Sequence, residues 1–208
     1  MTQILHITHG ANLDGILRQR GLWSPHHMPT DLQTQSAAHR RIQQRRVQAS
    51  VPVGPGGVLS DYVPFYFGAR SPMLYANHRG QVQDNPGGQR PIVYLVSSVD
   101  AVAAATDAWV FTDGHAVMAP LTRFFDDQAH LEEVDWDAVH ARDWFDTQDA
   151  PDRKRRKQAE FLVHRFCSFE WVTEIAVIDE AIAGRVAEIT ASAGVVVPVV
   201  VRQDWYYL

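Results

Sequence analysis

Asp152-Arg-Lys-Arg-Arg-Lys-Gln-Ala-Glu-Phe-Leu-Val-His164 runs five consecutive basic residues into one glutamate and an apolar segment. Read as a strand, residues 159–164 alternate, with Glu160, Leu162 and His164 on one face and Phe161, Val163 and Arg165 on the other. Glu160 then stands at the mouth of a strand, beside a cationic run suited to phosphates. Read as an amphipathic helix, the stretch turns Ala159, Leu162, Val163 and Phe166 inward and leaves Glu160 as solvated filler. Spacing alone does not choose between the two.

Working outward, 208 residues, 46% apolar and 21% charged, suffice for a full core and are expected to form one domain over residues 1–208. The lone cysteine, Cys167, cannot close an intramolecular disulfide. The N-terminus has no basic segment followed by an apolar one, and the longest apolar run, near residues 194–201, is broken by Pro198. A cytoplasmic chain without a membrane partner is expected. A net charge of -5 argues against a general polyanion binder, but the charges are segregated. Arg40, Arg41, Arg45 and Arg46 with residues 153–157 make up nine of the nineteen basic residues, whereas 126–152 is strongly acidic. Such runs are ordinarily solvated surface; arginine outnumbering lysine 17 to 2 suits bidentate phosphate contacts.

Taken in order, residues 3–8 read as a short strand and 12–21 as a helix with Leu13, Ile16 and Leu17 inward and Gly21 as its stop. His6 and Thr8 share a strand face, either lining a pocket or, for His6, as a hydrogen-bonded core histidine. His6 and His9 fall on opposite faces, so no metal pair is expected there. Residues 35–47 read as a polar helix carrying the first arginine cluster. The glycines of 51–57 form neither a P-loop nor a dinucleotide fingerprint. Residues 61–75 read as an aromatic strand and a tight corner, with Tyr62, Tyr66 and Tyr75 either core or stacking surface and Arg70 beside them. Strands at 91–98 and 109–113 flank a helix at 99–107, and Asp113-Gly-His-Ala116 is a turn placed to carry function. The acidic segment 126–152, with Trp136, Trp144, Phe145 and a helix at 135–142, reads as a substrate-facing insert or covering flap. A strand at 173–179, a helix at 180–192 and a strand at 195–202 complete an α+β chain.

Zinc, serine-hydrolase and calcium signatures are missing: there is no Cys pair, His-Glu-x-x-His, Gly-x-Ser-x-Gly or EF-hand loop. One glutamate, clustered arginines, a first-strand His-x-Thr and aromatic strips remain. That set suits transfer at an anomeric carbon, where a carboxylate stabilises a cation-like sugar and arginines hold a diphosphate.

His6-Ile-Thr-His-Gly-Ala-Asn-Leu-Asp-Gly-Ile-Leu17, Ile42-Gln-Gln-Arg-Arg46, Tyr62-Val-Pro-Phe-Tyr-Phe-Gly-Ala-Arg-Ser-Pro-Met-Leu-Tyr75, Lys157-Gln-Ala-Glu-Phe-Leu-Val163 and Asp204-Trp-Tyr-Tyr207 together resemble the DarT family of DNA ADP-ribosyltransferase toxins. The resemblance implies an ADP-ribosyltransferase (PARP-like) fold with a central split β-sheet and flanking helices. It further implies NAD+ as co-substrate without a metal, and transfer of ADP-ribose to a base in single-stranded DNA, usually thymine at N3, with a guanine-modifying branch in the family. A DarG-type macrodomain antitoxin is the implied partner. Position by position, Glu160 and Arg46 match the catalytic residues. His6, Thr8, Asn12, Leu13, Tyr66 and Tyr75 fall at the co-substrate, and Arg45, Met73, His115, Arg153, Arg155 and Arg156 at the DNA. The competing readings are a non-catalytic nucleic-acid module, with the arginines on phosphates and the tyrosines stacking bases, and a transferase of the same fold acting on protein or tRNA.

Overall fold

The computed structural model describes residues 1–32, 34–38, 40–118 and 120–208. Its strands are β1 (Gln3–His9), β2 (Gly21–Trp23), β3 (Tyr62–Tyr66), β4 (Ile92–Ser98), β5 (Trp109–Thr112), β6 (Phe124–Phe125), β7 (Glu160–His164), β8 (Phe166–Ser168), β9 (Glu174–Val177) and β10 (Val199–Val201). The helices are α1 (Leu13–Arg18), α2 (Arg40–Gln48), α3 (Pro72–His78), α4 (Val99–Ala103), α5 (Trp136–His140), α6 (Arg153–Arg156) and α7 (Glu180–Ser192).

Eight strands form one sheet in the order β10-β9-β4-β1-β3-β7-β5-β6. β4, with all seven residues buried, pairs with β1 from Gln3↔Ser98 to His9↔Ile92. Between β1 and β3 there is one pair, Leu5↔Tyr66. Pro64 explains the break: it has no N–H to donate, and its carbonyl is taken by the His6 ring at 2.8 Å instead of by a backbone donor. The sheet therefore divides into two halves hinged at Leu5 and Tyr66, the split α+β arrangement expected. Leu13, Ile16 and Leu17 of α1 and Ile182 and Val186 of α7 build the core on one face; Leu74 of α3 and Tyr206 pack with Leu5 and Tyr94 on the other.

The strand reading of 159–164 holds and the helical one does not: Glu160 to His164 pairs with Tyr66 to Tyr62 on one side, and Phe161 to Val163 with β5 on the other. Other expectations shift. The 12–21 helix stops at Arg18, Arg20 takes the left-handed turn at φ 56°, and Gly21 opens β2, where a Cβ would lie 2.3 Å from the Cys167 carbonyl. The 35–47 helix begins only at Arg40, because the backbone of Gln35 is held by the Asn12 side chain through both its N–H and its carbonyl. The corner after β3 is a helix, α3, with Ser71 capping the Leu74 N–H and Pro72 in the first turn. The last expected strand is only three residues long, after Pro198. Among the described residues no helix is long and apolar enough to cross a membrane.

Candidate active site

Glu160 is the first residue of β7, opposite Tyr66 where the sheet divides. Its backbone N–H donates to Thr112 Oγ1 at 3.1 Å, which ties the strand start to the turn after β5. The carboxylate is only 1% exposed and accepts three hydrogen bonds: Oε2 accepts from Arg46 Nη1 at 2.7 Å, and Oε1 from His115 Nδ1 and the Ala116 N–H, each at 3.0 Å. Burial alone pushes such a carboxyl up, but Arg46 and His115 outweigh it and hold Glu160 at about 2. Burial raises the Tyr66 phenol, and the Glu160 charge raises it further, so it stays neutral.

Arg46 reaches this carboxylate from α2 with a side chain only 11% exposed, and its Nη2 is buried without a partner among the described residues. Its neighbour Arg45 braces the helix by donating to the Val117 carbonyl at 2.9 Å. On β1, His6 sits against Phe65 and is lowered by burial to about 4, so its ring is neutral above that pH. Asn12 donates to Thr8 Oγ1 at 3.0 Å and clamps Gln35, which draws residues 34–38 against β1. Tyr66, Met73, Tyr75 and His115 line one cleft of about 730 Å³ next to Glu160.

Leu13, expected at the co-substrate, and Tyr62, which read as either core or stacking surface, both belong to the core. Leu13 is fully buried among Ile4 and Ile16 and offers no side chain to a ligand. Tyr62 is likewise buried, with its hydroxyl donating to the Gly56 carbonyl. The basic run is also corrected. Arg155 is 9% exposed and its guanidinium is consumed by Asp113 at 2.9 Å and Asp152 at 2.7 Å. Arg156 pairs with Asp135 at 2.8 Å, and buried Lys157 donates to the Val139 and Ala141 carbonyls. Burial lowers the Lys157 ammonium to about 8, with Arg70 adding to the shift. These cations bind the acidic segment to the domain and are not a free phosphate surface; Arg153, on the same helix, is half-buried. The sequence reading missed the Ala116 N–H and Thr112 as partners of Glu160; the Asp-Gly turn between them was the available signal.

Among the described residues no group of three or more His, Cys, Asp or Glu side chains is placed to hold a metal. The described residues place one ionised carboxylate and one guanidinium with a spare donor beside an aromatic cleft.

Comparison with known proteins matches residues 5–207 to the family described as ssDNA thymidine ADP-ribosyltransferase, DarT. A DNA ADP-ribosyl transferase of Thermus aquaticus is 47% identical over 208 residues, covering 99% of this chain and 89% of that protein. The solved structure of Thermus sp. 2.9 DarT in complex with ADP-ribosylated ssDNA superposes with a TM-score of 0.92 at 43% identity, over 99% of this chain and 96% of that one. The same protein in complex with NAD+ superposes with a TM-score of 0.88 at 41% identity, over 99% and 98%.

Proposed function

This chain belongs to the DarT family, and we propose that it uses that family's DNA ADP-ribosyltransferase activity on thymine, at N3, in single-stranded DNA of a preferred sequence. The observation that carries the reading is the buried Glu160–Arg46 pair at the split of the sheet, in which Arg46 Nη2 has no partner among the described residues. An unmet buried donor is costly, and an oxygen-rich, anionic ligand in the cleft satisfies it. NAD+ fits that requirement as co-substrate, and His6, Thr8, Asn12 and Tyr66 are the residues that would hold its nicotinamide-ribose end.

NAD+ supplies the ADP-ribosyl group: the bond from C1′ to nicotinamide breaks, C1′ bonds to N3 of thymine, and nicotinamide and the N3 proton leave. Glu160, ionised at neutral pH, accepts from a ribose hydroxyl and stabilises positive charge at C1′. As long as Arg46 holds it near 2, it is a poor base. Parted from Arg46 its proton affinity rises, while the freed guanidinium stands ready for the negative charge developing on the base. The two halves of the task thus depend on one ion pair opening. An ADP-ribosyl group on N3 blocks Watson–Crick pairing, which is the basis of a toxin role through stalled replication and of an antitoxin of the macrodomain type that removes the mark.

The test is incubation with labelled NAD+ and single-stranded or duplex oligonucleotides of defined base composition, beside Glu160→Ala. A mass gain of one ADP-ribose confined to thymine-containing single strands and absent from the variant is expected. Label on guanine, on protein or on RNA alone would refute the thymine assignment.

A further inference from the structure

Among the described residues away from the chain ends, four large apolar side chains stay exposed: Val47, Leu121, Phe145 and Val196. Two of them, Leu121 at 63% and Phe145 at 55% exposure, line the cleft that reaches Tyr66 and His115 beside Glu160. Phe145 is mounted on a rigid support: its ring stacks on Trp144 with centroids 4.4 Å apart and 27° between planes, and meets Tyr75 edge-on at 6.2 Å. Trp144 is itself fixed, because Nε1 donates to Tyr207 Oη at 2.7 Å and that hydroxyl donates to the Arg70 carbonyl at 2.6 Å. The Lys154 ammonium lies 5.8 Å from the Trp144 ring on the same wall.

A braced aromatic face open to solvent, with a cation beside it, is what a single-stranded nucleic acid stacks upon. The volume of about 730 Å³ lies well inside the roughly 300–1,000 Å³ range of drug-sized ligand sites. That leaves room for more than one acceptor base. His6, Thr8 and Asn12 do not line this cleft, so Phe145 lies away from the β1 end of the site. We propose that Phe145, braced by Trp144, is the stacking platform for the nucleobase adjacent to the acceptor base. The inference rests on the DNA reading of the site and adds to it a residue that fixes the strand's register. Since stacking tolerates any base, Phe145 sets affinity and placement, and leaves base identity to other groups.

Steady-state kinetics on the full chain, varying NAD+ and a short thymine-containing single strand in turn, compare wild type with Phe145→Ala and Phe145→Trp. Both variants should melt like wild type, because the ring is half in solvent. Phe145→Ala should raise the KM for DNA about tenfold, within the roughly 5- to 150-fold span of one lost base stack. Its kcat and KM for NAD+ should stay unchanged, and Phe145→Trp should restore DNA affinity. Oligonucleotides abasic on one side of the acceptor should weaken wild type equally and leave Phe145→Ala no weaker. An unchanged DNA KM in Phe145→Ala, a KM shift for NAD+ instead, or additive losses with the abasic strands would overturn the proposal. Wild type that leaves DNA unmodified would overturn the functional reading instead. Binding of labelled oligo-dT by anisotropy then decides the platform alone: weaker binding by Phe145→Ala supports it, and equal binding refutes it.

Discussion

Arg46 and Glu160, 114 residues apart in the chain, meet at 2.7 Å with side chains 11% and 2% exposed, and the partner of one is the base-suppressing charge of the other. Glu160→Gln keeps the volume and an oxygen that accepts from Arg46 but removes the charge that stabilises the transition state. We expect kcat to fall about a hundredfold or more while oligonucleotide affinity is retained. Single-turnover ADP-ribosylation with saturating DNA measures this; a variant within a few-fold of wild type would remove Glu160 from the chemistry.

Stability should fall with acid in two phases. Unfolded, His6 takes its proton near pH 6.5; folded, burial delays it to about 4, so stability it contributes is complete above pH 6.5 and is lost as pH falls from 6.5 to 4. Glu160 is depressed from 4.5 to about 2, so its contribution is complete above pH 4.5 and is lost between 4.5 and 2. Each is worth on the order of 3 kcal/mol. His6→Asn places an amide nitrogen where Nδ1 meets the Pro64 carbonyl, and should flatten urea-denaturation stability between pH 6.5 and 4 while leaving the lower phase. His9 and His164 are shifted down as well, mainly by burial, so a shallower slope should survive.

The strand at Glu160 was legible only as one of two readings, because a short apolar run buried on both faces, which β7 is, has no period that separates it from a buried helix segment. The arginines were legible as a cluster but not as ion pairs: Asp152 is a helical neighbour of Arg155, but Asp113 and Asp135, which complete the pairing of Arg155 and Arg156, lie 42 and 21 residues away, and no local period records those contacts. α3 escaped for a different reason, since Pro72 reads as a breaker until Ser71 is seen to cap the turn that Pro72 begins. Glu160 and Arg46 emerged from motif order; their mutual contact needed the fold.

Arg155→Met should therefore act on stability and not on DNA. Removing a guanidinium bonded to Asp113 and Asp152 leaves Asp113 with Arg123 as its remaining cation and loses charge-assisted hydrogen bonds, at a cost of about 2 kcal/mol. The salt dependence of oligonucleotide binding should keep its slope, because that charge is already neutralised internally. Thermal melts paired with binding at several salt concentrations distinguish the cases. A shallower slope with an unchanged melting temperature would return Arg155 to the DNA surface.

The segment 35–38 precedes the helix that delivers Arg46, and it is strapped from two sides. Asn12 clamps Gln35, and fully buried Asn77 donates to the Ala37 carbonyl at 2.8 Å while accepting from Asn85 at 2.7 Å. The straps should separate on substitution. Asn77→Ala strands the buried Ala37 carbonyl and leaves the Asn85 amide only the Gly88 carbonyl, and should cost about 2–3 kcal/mol, visible as a lower melting temperature. Asn12→Ala, at a half-buried position, should cost only about 1 kcal/mol yet lower kcat/KM about tenfold, since α2 loses the anchor that aims Arg46 at Glu160. Loss of stability in Asn12→Ala with full activity would make the strap a folding element alone. Loss of activity that a higher NAD+ concentration restores would place Asn12 on the co-substrate, and loss that persists at saturation would place its effect on the Arg46–Glu160 geometry.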